Sequence, residues 1–235
     1  MQYTDLDDLD LVQEIDKRDM LGHVANLGQQ CRDAWEATKG LQLPGKHLDA
    51  SRVLITGMGG SAIGGDLAAA LVEGRSPIPV WVYRDYGLPA YVDERTVVIG
   101  SSYSGNTEET LSSFKAAHEL GCPLVAVTTG GKLAGWAAEW DVPVVRFDYQ
   151  SPPRAALGHS LFSLLGVLRA LGLVGDMEAD VAEAVALLAD QKAVLEPEVP
   201  QAQNKAKQLA YDMAGRIPIV VGAGPLGPVA RRWKT

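Results

Sequence analysis

The stretch Val53-Leu54-Ile55-Thr56-Gly57-Met58-Gly59-Gly60-Ser61-Ala62-Ile63-Gly64-Gly65-Asp66 decides the fold of this 235-residue chain. Four apolar or β-branched residues run directly into five glycines within nine positions, and small residues then open a helical segment. A strand that is apolar on both faces must be covered on both, as in a parallel sheet under helices. The same grammar continues outward. Pro79 to Tyr83, Val97 to Ile99, Leu124 to Thr128 and Val142 to Phe147 read as further strands. Ser61 to Val72, Asn106 to Leu120 and Lys132 to Trp140 read as the crossover helices between them. The expected fold class is α/β, a parallel sheet flanked by helices.

Both flanks of that sheet read as helical. Met20, Val24, Leu27, Cys31 and Trp35 recur at steps of 4, 3, 4 and 4, one face of a single helix that Gly40 and Pro44 close. After Pro152-Pro153, the segments Ala155 to Leu171, Met177 to Leu195 and Gln201 to Met213 read as connector helices. Ile217-Pro218-Ile219-Val220-Val221-Gly222-Ala223-Gly224 then echoes 53–59 at an offset of 222 − 57 = 165 residues. It reads either as the first βα step of a second copy or as a last strand added to the edge of the first sheet. The expected organisation is a helical arm at 1–50, a sheet domain at 51–150, a helical connector at 151–215 and the start of a cut-off second domain at 216–235.

Composition excludes several classes of function. Lys+Arg 21 against Asp+Glu 29 gives a net charge of −8 with no basic stretch, which argues against a nucleic-acid or anionic-membrane surface. Cys31 and Cys122 form no C-x-x-C pair or Cys/His cluster, so neither a disulfide scaffold nor a structural zinc is expected. The acidic N-terminus lacks the pattern of a signal peptide, and no window approaches the roughly 18–20 apolar residues of a membrane span. The expectation is a cytoplasmic protein without metal or cofactor. The apolar connector helices call for cover by a further domain or a second subunit, and a homodimer is expected of the complete protein.

Three segments carry candidate chemistry. In the first, 57–66, bare backbone N–H groups at a helix N-terminus favour an anion, and Ser61 adds a hydroxyl. A sugar-phosphate site, a dinucleotide fingerprint made by Gly57-x-Gly59-x-x-Ala62 with Asp85 or Arg84, and a tight turn without ligand all fit. The second, Gly100-Ser101-Ser102-Tyr103-Ser104-Gly105-Asn106-Thr107-Glu108-Glu109-Thr110, places three serines and two glycines ahead of a helix. Asn106 with Glu109 has capping-box spacing there. Two anion cradles at neighbouring strand ends fit a compact phosphorylated ligand better than a dinucleotide, whose fingerprint uses one. Neither holds a lysine or arginine. The third, Ser151-Pro152-Pro153-Arg154-Ala155-Ala156-Leu157-Gly158-His159-Ser160, offers one. Arg154 at a helix opening has the wrong sign for the dipole, so it faces either an anionic ligand or a surface carboxylate. The four histidines form no nucleophile–base pair.

These three motifs, in this order, resemble the bifunctional phosphoglucose/phosphomannose isomerases of the sugar isomerase (SIS) domain superfamily. The resemblance implies an SIS-type sheet with an N-terminal helical arm and C-terminal connector helices. It implies interconversion of glucose 6-phosphate or mannose 6-phosphate with fructose 6-phosphate through an enediolate. Gly59, Gly60, Ser61, Ser102, Ser104 and Thr107 match the family's phosphate-binding positions, and Arg154 its catalytic arginine near the reacting carbons. In the family an Asn-Glu-Asn glutamate serves as base, followed by a ring-opening histidine and a lysine, all at positions beyond Thr235. This chain is therefore expected to bind a sugar phosphate with little turnover. A non-catalytic sugar-phosphate-sensing SIS module would carry the same cradles, and an NAD(P)-binding domain is the third reading.

Overall fold

The computed structural model describes residues 5–234. Four helices precede the sheet: α1 (Leu9–Ile15), α2 (Met20–Ala25), α3 (Leu27–Thr38) and α4 (Gly45–Leu48). The α/β region runs β1 (Arg52–Thr56), α5 (Gly59–Val72), β2 (Val80–Tyr83), β3 (Thr96–Ser102), α6 (Glu108–Glu119), β4 (Leu124–Thr128), α7 (Gly131–Glu139) and β5 (Val144–Arg146). Then come α8 (Leu157–Ala170), α9 (Glu178–Leu195), α10 (Lys205–Met213) and α11 (Gly227–Arg232).

The five strands form one parallel sheet in the order β2-β1-β3-β4-β5. Alternation along each strand splits the core in two. Val53, Ile55, Val97, Ile99 and Val125 face α3, α5, α8 and α9, whereas Leu54, Val98, Leu124 and Ala126 face α6 and α7. Burial on both faces explains why the strands read as unbroken apolar runs. The arm and connector belong to the first of these cores, where Cys31 and Trp35 of α3 pack with Leu164 and Leu168 of α8 and Val181 of α9.

The structure corrects the sequence at several points. The arm is not one helix: α2 and α3 break at Asn26, and Val24 is 65% exposed while Trp35 is 1% exposed. Only the second half of the apolar stripe finds a partner, in α8 and α9. β3 extends through Ser102, because pairing with β4 continues to Ser102↔Thr128, and β5 shrinks to three residues. Residues 217–221 form no strand. No described strand lies beside them to complete a ladder, and Ile217, Ile219 and Val221 stand out in solvent, the first at 92% exposure. The local echo nevertheless persists in the backbone. Met58 (φ −128°, ψ 158°) and Gly59 (φ 48°) are repeated by Ala223 (φ −130°, ψ 157°) and Gly224 (φ 53°), and a helical turn follows each pair.

Candidate functional site

The strand order reverses between β1 and β3, because the chain steps from β1 out to β2 and returns to the other side of β1. Ligands of open α/β sheets bind outside the carboxyl ends of the strands at such a switch point. Both glycine-rich segments lie there, since Thr56, the last residue of β1, pairs with Gly100, two residues before the end of β3.

The first loop is shaped by its glycines. Gly59 takes a left-handed φ of 48°, which turns the chain from β1 into α5. A Cβ on Gly60 would lie 2.8 Å from the Pro153 carbonyl oxygen and 3.2 Å from the Arg154 Cα, so the third motif rests directly on the first. No side chain caps α5 at Met58, which leaves its first amides without side-chain acceptors. Ser61 is 8% exposed, and its Oγ accepts the Tyr103 amide at 3.1 Å. That bond ties the two loops together. The hydroxyl keeps its own proton to donate elsewhere.

In the second loop the structure differs from the capping-box expectation. The N-cap of α6 is Thr107, with no side-chain cap bond. Asn106 is drawn away: its Oδ1 accepts the Lys132 amide at 3.0 Å and its Nδ2 donates to the Ser104 carbonyl at 3.1 Å. Gly105, at φ 66°, sits so close to the Gly130 carbonyl that a side chain has no room. The hydroxyls differ in what they have left to offer. Ser102 is buried; its Oγ accepts the Gly105 amide at 3.1 Å and shares a hydrogen bond with Thr107 Oγ1 at 2.8 Å. Ser104 is exposed, and its Oγ accepts the Asn106 amide at 3.2 Å.

Arg154 lies in a 3-10 turn, Pro153–Ala155, and α8 begins only at Leu157. Among the described residues it makes no ion pair, so the surface-carboxylate reading finds no support. Its turn is braced from the arm. Gln30, fully buried on α3, donates to the Ala155 carbonyl at 3.0 Å and accepts the Gly158 amide at 3.2 Å. No sequence signal marked Gln30, since it falls between the apolar positions of its helix. Ser61, Tyr103, Pro153 and Ser160 enclose a cavity of about 10 Å³, room for one water at most, where the three motifs meet. A larger groove, about 520 Å³, lies away from the cradles, beside α5 and Pro77 to Trp81.

Each histidine is engaged by its own neighbours. His47 donates from Nε2 to the Leu124 carbonyl at 2.9 Å, and His159 stacks on Phe147 at 4.9 Å between centroids. Burial pushes both below the ordinary imidazole value. His23 pairs with the Tyr149 hydroxyl, and His118 stacks on Trp140. Of the pair weighed for a dinucleotide, Arg84 is tied to the Asp66 carboxylate and Asp85 accepts the Tyr86 amide. The strand order also differs from the 3-2-1-4-5-6 of the dinucleotide-binding fold. Among the described residues no group of three metal-binding side chains occurs, and no helix is long and apolar enough to cross a membrane.

A bifunctional phosphoglucose/phosphomannose isomerase from Caldicellulosiruptor bescii is 44% identical over 216 residues, 92% of this chain and 64% of the relative. Over nearly its whole length the chain is similar to that isomerase family. A relative of the same description from Thermoplasma acidophilum is 35% identical over 186 residues, 79% of this chain and 54% of its own length. The chain thus spans less than two thirds of either relative. A D-glucosamine-6-phosphate 4-epimerase from Sulfolobus acidocaldarius is 28% identical over 212 residues, 90% of this chain and 64% of the epimerase. The family model for the bacterial phospho-glucose isomerase C-terminal SIS domain matches residues 202–235. The SIS-type sheet recurs in the C-terminal domain of glucosamine-fructose-6-phosphate aminotransferase from Francisella tularensis. That structure superimposes with a TM-score of 0.65 at 16% identity, over 91% of this chain and 64% of that one.

Proposed function

We propose that the chain carries the phosphate-holding part of an aldose–ketose isomerase site for hexose 6-phosphates. It would take glucose 6-phosphate or mannose 6-phosphate to fructose 6-phosphate through an enediolate. The hydrogen bond from the Tyr103 amide to Ser61 Oγ carries this reading, because it joins two anion cradles at the switch point into one. The names of the relatives supply the substrate class. In this reading the amides of Gly59 and Gly60 and the hydroxyls of Ser61, Ser104 and Thr107 hold the phosphate. Ser102 holds the turn through Gly105 and Thr107. Arg154, which lies beside Gly60 and has no ion pair among the described residues, stabilises negative charge on the enediolate oxygens.

No residue of the chain is assigned the base. Its histidines are stacked, buried or bonded elsewhere, and Asp66 is committed to Arg84 and Arg231. Proton transfer without a placed base forfeits about 10²–10⁴-fold in rate. We further read 216–235 as the opening of a second SIS domain, supported by the backbone echo of 58–59 at 223–224 and the family match over 202–235.

The test combines calorimetry, thermal melting and a coupled isomerase assay on the full chain. Fructose 6-phosphate should bind and raise the melting temperature, S61A should weaken that binding, and turnover should stay near background. Absence of binding by all three hexose 6-phosphates overturns the site. Robust turnover overturns the missing base. Binding of NAD(P)H, followed by its fluorescence, would restore the dinucleotide reading.

A further inference from the structure

Four arginines surround the start of α5, and the structure sorts them into two pairs. Arg84 and Arg231 both donate to Asp66 Oδ2, whose side chain is only 11% exposed, the second at 3.0 Å. Arg154 and Arg232 have no carboxylate among the described residues. Arg232, on α11, donates from Nη2 to the Arg154 main-chain carbonyl at 3.0 Å, while its buried Nε has no acceptor among the described residues. Burial first, and the neighbouring Arg154 charge second, push the Arg232 guanidinium below its ordinary value.

Like charges in the same neighbourhood repel, and desolvation enlarges the cost. A chain with 29 carboxylates could place one between them, as it does with Asp66 for the other pair. It does not. Arg154 in turn abuts Gly60, next to Ser61 of the first cradle. A missing counter-charge beside an anion cradle is what a site supplied with charge by its ligand requires. A sugar phosphate brings close to two negative charges at neutral pH, since its second proton leaves near pH 6.

We propose that Arg232 and Arg154 form a two-guanidinium clamp on the anionic sugar ligand, so that the segment after Gly224 contributes a binding group to the site built on β1 and β3. This rests on the function proposed above and adds a residue to its site. Arg231 is the internal control, one position along the same helix and turned to Asp66.

The test is calorimetric titration of the full chain with fructose 6-phosphate at low salt, for wild type, R232Q, R232K and R231Q. Glutamine keeps an N–H donor for the Arg154 carbonyl but removes the charge. R232Q should weaken binding about tenfold to a hundredfold, the loss typical of a charged hydrogen bond. R232K should fall between wild type and R232Q, because lysine lacks the planar fork. R231Q should stay within about threefold of wild type, as a mostly exposed charge away from the ligand would. Melting curves without ligand establish that each variant is folded; if R232Q is not, a loss of about threefold or more in R232K carries the test. Wild-type affinity in the folded Arg232 variants overturns the clamp and leaves the proposed function standing. A wild-type chain that binds no fructose 6-phosphate overturns both.

Discussion

Replacing Gly60 by alanine tests the contact that joins the first and third motifs. The new Cβ would meet the Pro153 oxygen at 2.8 Å, the Pro153 carbonyl carbon at 3.1 Å and the Arg154 Cα at 3.2 Å. All three are backbone atoms, so no side-chain rotation relieves the overlap. The 153–155 turn must retreat by about 0.5 Å to restore an ordinary carbon–oxygen contact of roughly 3.3 Å. Gln30 resists the movement, since it holds the Ala155 carbonyl and the Gly158 amide from α3. Overpacking of this kind costs about 1–3 kcal/mol. In a chain of this size each kcal/mol lowers the melting temperature by about 2–4 °C, so a fall of about 2–12 °C is expected. Because Arg154 rides on the displaced turn, affinity for fructose 6-phosphate should fall by on the order of tenfold. Differential scanning fluorimetry and calorimetry measure the two effects. A G60A chain that melts within about 1 °C of wild type and binds equally well would refute the apposition.

Three further outcomes follow from particular residues. Gly135 lies within α7 with no neighbouring atom inside 4 Å of where an alanine methyl would stand, so G135A should stabilise the chain by about 0.5–1 kcal/mol; a lower melting temperature would contradict the open space. D66N keeps the side-chain shape but removes the carboxylate that Arg84 and Arg231 share. About 1–2 kcal/mol should be lost once water screening of the partly exposed guanidiniums is allowed for, and denaturant midpoints unchanged from wild type would argue against the shared pair. His47 and His159 are held below the ordinary value of 6.5 by burial, so below about that pH the unfolded chain binds more protons than the folded one. Stability should therefore fall as pH drops through 6.5, and H159F, which keeps an aromatic ring against Phe147, should reduce that loss; an identical pH profile would exclude His159 as a source.

Local pattern made the sheet legible. Each apolar run of β1, β3 and β4 is buried on both faces, so its sequence alone carries the signal, and the glycine and serine loops follow from where those runs stop. What failed to read depends on contacts distant in sequence. Val24 and Trp35 share one periodic stripe, yet only Trp35 has α8 and α9 against it, and the stripe breaks at Asn26. Val220 and Val221 have the composition of a strand and no described neighbour to make one. Asn106 has the composition of a cap, but the Lys132 amide, 26 residues away, engages its side chain. The candidate site divides the same way. Ser61 and Ser104 stand out by motif, whereas Gln30 and Arg232 become visible only when α3 and α11 are folded against the 153–158 turn.

The Tyr103 amide has a spectroscopic consequence. Its proton is held by Ser61 Oγ rather than by water, so it should exchange slowly with deuterium although it sits in a loop. The acceptor is also the hydroxyl that would turn toward a ligand oxygen. The nitrogen–proton resonance of Tyr103 should therefore shift during a titration, giving a residue-resolved readout of occupancy that needs no turnover and no attached probe.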